Sequence, residues 1–141
     1  FSPAAFASTL DKKDGKSQII ISSETLTADN KNNTAVFEGK VVAKTDDITM
    51  YSDKMIVSYD SKDSKIIKIH ALGNVKVNNE ERALFSKEAI YIDNEEKIIF
   101  TGNPKVIEGE NMITGKQIIF FLKDNRAVVE ESRMVIQNRP E

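Results

Sequence analysis

A general base, a metal site or a catalytic triad in this chain would have to begin at His70, its one histidine. That residue falls on the polar face of an alternating run, beside Lys68, and a lone histidine makes neither a metal site nor a triad. There is no cysteine, so thiol catalysis, thiolate metal sites and disulfides are excluded. The carboxylates gather in turn-like stretches such as "NEE" and "DSKDS", where they read as solvated turn charges rather than a spaced acid–base pair. The glycines are isolated, which leaves no phosphate-cradling loop. The chain is therefore not expected to be an enzyme, and no metal or other cofactor is expected.

What does recur at regular spacing is apolar. Ile19, Ile21, Phe37, Val41, Met50, Met55, Val57, Ile69, Val75, Leu84, Tyr91, Phe100, Val106 and Met112 are expected to share one side of the fold. They read either as an ordinary core or as the lining of an apolar groove that holds a lipid, and composition does not choose between the two. Met50 and Met112, at equivalent places, suit an adaptable lining.

The elements that must position these residues are strands. Ala35, Phe37, Gly39, Val41 and Ala43 alternate with Val36, Glu38, Lys40 and Val42. Likewise Ile67, Ile69, Ala71, Gly73, Val75 and Val77 alternate with Lys68, His70, Leu72, Asn74 and Lys76. A period of two with one apolar face is a half-buried strand. Turn residues separate the runs, as in "DNKNN", "DSKDS", "NNEE", "DNEE" and "KDN". The chain reads as all-β and antiparallel. "EERALFSKEAIY" (80–91) is rich in helix formers, but its repeat partners are strand-like, and it is read as strand too.

The strands repeat. "FEGKVV", "LGNVKV" and "FTGNPKV" carry Gly39, Gly73 and Gly102, which lie 34 and 29 residues apart. A second signature, built on Ser23, Ser52, Ser86 and Thr114, recurs at 29, 34 and 28 residues. Self-similarity at this period marks a stacked architecture. A glycine inside a strand weakens it and usually marks a bulge or bend, so the three glycines are expected to bend each layer at the same corner.

With 20 basic and 22 acidic residues interspersed, the net charge of −2 offers no basic stripe for nucleic acid. No apolar run approaches the ~18 residues of a membrane-spanning helix. At 141 residues one domain is expected over 18–137, with tails over 1–17 and 138–141. Ala5-Phe6-Ala7 has the small-x-small pattern that ends secretory signal peptides. The first tail reads as a signal-peptide remnant or as an ordinary short tail.

On these residues the chain resembles a family. "IIISSETLTADNKNNTAVFEGKVVAKTDDITMYSDKMIVSYD" is similar to the start of an OstA-like (LptA-like) domain. "ALGNVKV" and "IIFTGNPKVIEGENMITGKQIIFFLKDNRAVVE" are similar to its later segments, in the same order. The resemblance covers about Ile19 to Glu130. It implies an open V-shaped β-jellyroll of stacked antiparallel strands, in the periplasm, whose apolar interior carries the lipid A acyl chains of lipopolysaccharide. It also implies head-to-tail self-association and edge-to-edge pairing with like domains of an inner-membrane anchored partner and an outer-membrane barrel partner. The family's lipid-contacting positions match Ile19, Ile21 and Tyr91; a later one falls near Asn78, which is polar here and is not carried over. "GKV" stands for the family's "GNV" at Gly39–Val41, and Ala28 stands where many members have Tyr.

Three alternatives stay open. The chain reads also as the excised jellyroll of an inner- or outer-membrane partner, as a non-lipid protein that polymerises edge to edge, or as a closed, monomeric small-molecule β-barrel. In the open jellyroll the unpaired edges are expected near Ile19–Ser23 and Val128–Ile136.

Overall fold

A computed structural model describes residues 20–45, 48–79, 81–121, 123–124 and 126–137. Ile19 and the two tails expected at 1–17 and 138–141 lie outside the described residues. Twelve strands form one antiparallel sheet: β1 (Ile20–Ser22), β2 (Thr25–Asp29), β3 (Thr34–Thr45), β4 (Ile48–Tyr59), β5 (Ile66–Asn79), β6 (Arg82–Ile92), β7 (Lys97–Thr101), β8 (Lys105–Glu108), β9 (Asn111–Thr114), β10 (Gln117–Phe121), β11 (Arg126–Glu130) and β12 (Arg133–Val135). The stretch rich in helix formers is strand β6, because its alternating Leu84, Ala89 and Tyr91 are buried on the core face. Tertiary packing overrides the local helix preference there.

The sheet is folded along a corner into two flanks. One flank runs β1, β3, β4, β5, β6, β8, β9, β12, and the other β2, β3, β4, β5, β6, β7, β10, β11. Strands β3 to β6 pass through the corner and belong to both, while the remaining strands end there. Registers jump at the corner, between Glu38 and Val41, Tyr51 and Lys54, and Leu72 and Val75. Gly39 at φ 84° and Lys40 at 48° stand in the first jump, Gly73 at 82° and Asn74 at 49° in the other two, and Gly102 at 82° with Asn103 at 55° turns the corner between β7 and β8.

At Gly73 two constraints coincide. The left-handed backbone disfavours any side chain, and a Cβ would come within 2.5 Å of Asp53 Oδ2. Asp53 in turn accepts a hydrogen bond from Asn74 Nδ2 at 2.8 Å. Glu24 and Lys87 stand over Gly39 and Gly102 in the same way. Each Ser-plus-charged-residue signature is thus the lid of the neighbouring strand's glycine, which is why the two signatures recur together.

The turns follow from short polar side chains. The Asp29 carboxylate accepts from the backbone N–H of Lys31 and Asn32 and from Asn32 Nδ2, the last at 2.7 Å. Asp60 accepts from Lys62 N–H at 2.8 Å. Such self-bonded Asx turns close hairpins without help from the core.

The core lies between the flanks. Met55, Leu84, Ile118, Val41 and Val75 are all under 2% exposed or at that mark. Full burial of one such side chain contributes about 2 kcal/mol. The expected alternation fails at one place. Ile67 faces out, 47% exposed, and Ile66 packs on the core instead. The pairs Ser58↔Lys68 and Tyr59↔Ile66 leave Ile67 as an extra, bulged residue.

Candidate functional site

The inner faces align into continuous rows from one edge of the sheet to the other. On the first flank the row reads Ile21, Ala43, Met50, Val77, Leu84, Val106, Ile113, Met134. On the second, the row nearer the corner reads Leu26, Phe37, Met55, Ala71, Ala89, Phe100, Ile118, Val129. Beside it runs Ala28, Ala35, Val57, Ile69, Tyr91, Ile98, Phe120, Ala127. Val41 pairs with Ser52, and Val75 with Ser86, along the inside of the corner.

Most of the residues singled out in the sequence are therefore brought together. Val41, Met50, Met55, Val57, Ile69, Val75, Leu84, Tyr91, Phe100 and Val106 lie in one buried cluster, and Ile21 and Phe37 pack against it. Met112 does not join them. Val106 pairs with Ile113 and Ile107 with Met112, so Ile113 faces in and Met112 out. The cause is the anchor: Ile113 lies seven residues from Val106, as Leu84 does from Val77, so Gly115 and not Thr114 stands where Ser86 does. A one-residue slip in a strand turns every side chain to the other face.

Sequence reasoning also missed Ile98, Ile118 and Phe120, all buried. Aligning "GKQIIFF" with "DKMIVSY" sets Gln117 and Ile119 opposite Met55 and Val57, one residue short of the inward Ile118 and Phe120.

The interior is sealed in the middle and opens at both ends. Leu26 and Met134, both on inner rows, are 58% and 56% exposed. At the β12 end lies an apolar cavity of about 270 Å³, lined by Val106, Ile113, Ile118, Phe120, Ala127, Val129 and Met134, with Glu108 and Asn111 as its polar members. Phe100 and Phe120 meet edge to face beside it, their centroids 5.6 Å apart, a favoured aromatic geometry. Glu108 accepts from Arg82 Nε at 2.8 Å. An apolar space with a few polar groups at its rim fits a chain-like apolar ligand with a polar head.

Polar chemistry elsewhere is structural. Tyr91, 4% exposed, donates its hydroxyl to Asp93 Oδ1 at 2.7 Å, and Lys65 Nζ lies 3.2 Å from Asp93 Oδ2. Tyr91 is therefore anchored at its tip while its ring fills the inner row. His70 lies on the outer face, with Nε2 3.1 Å from Glu88 Oε2. Among the described residues no cluster of His, Asp and Glu could hold a metal ion.

This arrangement can be set beside known proteins. A search among curated proteins finds no match. Among solved structures, LptH of Pseudomonas aeruginosa, described as the LptA-homologous periplasmic component of the conserved lipopolysaccharide transport device, superposes with a TM-score of 0.74. It is 15% identical in sequence, and the alignment covers 90% of this chain and all of that one. At that identity the likeness speaks for the open β-jellyroll fold alone. The family described as LptA/(LptD N-terminal domain) LPS transport protein matches residues 20–126. With three quarters of its length matched, the chain belongs to this family of lipopolysaccharide transport proteins.

Proposed function

We propose that the chain is a periplasmic lipopolysaccharide-binding protein, one unit of a β-jellyroll bridge that passes its cargo from the inner to the outer membrane. The observation that supports this reading most is the set of three unbroken inner rows, which run from edge to edge and reach exposed Leu26 at one end of the sheet and exposed Met134 at the other. Acyl chains would lie along those rows, while the phosphorylated, sugar-bearing head stays in water. Burial of each methylene is worth ~0.8 kcal/mol, so a few are enough for capture and not so many that cargo cannot move on. The four edge strands would pair with like domains of an inner-membrane anchored partner, an outer-membrane barrel partner or a further copy.

A photo-crosslinking side chain tests this at Ile21, which packs against the core but remains partly accessible. Purified lipopolysaccharide should be captured there, and not at Lys40 or Lys68, which are exposed on the outside. Equal capture on both faces would refute the groove. Assembly without any capture would favour the non-lipid polymeriser instead. A second reading, the jellyroll of an outer-membrane barrel protein, is favoured by the family description itself, which spans both kinds of protein. Immunoblotting of the native protein separates the two by mass.

A further inference from the structure

The outer face of the second flank carries a feature that an apolar interior does not explain. Register places Val36, Ile56, Ile90, Ile99, Ile119 and Val128 in line across the sheet, with His70 between Ile56 and Ile90. Each neighbours a core-facing residue on its own strand, as Ile99 lies between buried Ile98 and Phe100, so alternation turns it outward. An antiparallel sheet with one face on the core normally carries polar residues on the other. Here a stripe of β-branched apolar side chains crosses seven strands, ~29 Å at ~4.8 Å per strand.

The rows on either side differ in charge. Away from the corner lie Lys68, Lys97 and Arg126; toward it lie Glu38, Glu88 and Glu130. Asp29 and Lys54 are the exceptions, one in each row and of opposite sign.

We propose that this stripe is the contact surface for a second copy of the chain, packed back to back about a two-fold axis that runs along the stripe. That axis lays the basic row of one copy on the acidic row of the other. A two-fold axis across the stripe would set lysine against lysine, at a cost in like-charge repulsion. The surface is thus self-complementary in one orientation, as an isologous interface requires. His70 does not oppose closure, because its Nε2 already has Glu88 as partner. Three rows over this length cover roughly 500–600 Å² per copy, below the ~800 Å² of a standard interface, so the dimer is weak and concentration-dependent. The contact leaves the interior and the backbone edges of β1, β2, β11 and β12 free, and so does not depend on the lipid reading.

The chain has no cysteine, which makes the test direct. On this axis each stripe residue meets its own counterpart, so Ile99→Cys should form a disulfide-linked dimer on mild oxidation. Thr49→Cys, on the outer face of the first flank, should not. In sedimentation, Lys97→Glu and Glu88→Lys should each weaken dimerisation by roughly tenfold, and the double variant should restore it, because opposite charges meet again. Circular dichroism checks that each variant is folded. Linking of Ile99→Cys no faster than Thr49→Cys, or no recovery in the double variant, overturns the proposal. So does a stripe that inserts into phosphatidylglycerol vesicles without any dimer. Lipopolysaccharide capture at Ile21 is read separately and is expected unchanged in all five variants.

Discussion

Gly73 shows how much one residue decides at the corner. Its φ of 82° and the Asp53 carboxylate above it leave no room for a methyl group. Gly73→Ala should therefore cost about 2–3 kcal/mol in chemical denaturation, from backbone strain and a displaced Asp53. Gly109 is the internal control: its φ is 60° but nothing lies within 4 Å of a Cβ there. Gly109→Ala should cost about 1 kcal/mol, from the backbone alone. Asp29 provides a pH marker at the same scale. The side-chain hydrogen bond from Asn32, then the backbone N–H groups of Asn32 and Lys31, hold its carboxyl below the ordinary aspartate value. A depressed folded-state pKa contributes stability that is complete above the unfolded value of ~3.9 and lost as pH falls through the folded one. A carboxyl titration by NMR should place Asp29 below that value, and exchange of the Asn32 amide should quicken only under more acid conditions.

At the scale of elements, β9 is where the repeat and the structure part. Aligned on Thr114, the repeat sets Met112 beside Met50 and Leu84, but Gly115 is the residue that stands where Ser52 and Ser86 do, and pairing turns Ile113 inward in place of Met112. Ile113→Ala should cost about 1–3 kcal/mol, since a partly buried isoleucine leaves a cavity against the core. Met112→Ala should stay within about 0.5 kcal/mol, as outer-face changes usually do. A crosslinker should likewise capture lipid at position 113 and not at 112. Strand type, the corner and both edges were legible, because alternation, glycine spacing and turn residues are local properties. The inward face of β9 and the bulge at Ile67 were not, because register is settled between strands by a count of residues and by a neighbour's pairing. For the same reason the outer stripe went unseen: no segment contributes more than one residue to it.

The whole molecule has two ends of equal kind. β1 and β2 expose one pair of edges, β11 and β12 the other, and Ile20, Leu26, Val128 and Met134 on them are among the exposed large apolar residues. Unprotected edges with apolar side chains pair with other strands. Hydrogen exchange at rising protein concentration should slow amides of these four strands and leave those of β5 unchanged; uniform behaviour would argue against edge pairing. The strands that pass through the corner have a mechanical meaning. β3 to β6 tie the two flanks together by continuous backbone, whereas toward each end the pairs β1/β2, β7/β8, β9/β10 and β11/β12 are joined only by short corner segments. The molecule resembles a book sewn along the middle of its spine and loose at both covers. Such a binding makes the waist, where Met55, Ala71 and Leu84 are buried, the stiffest part and the two mouths the first to yield, and under the proposed function the waist rather than the doors would set the girth of a cargo.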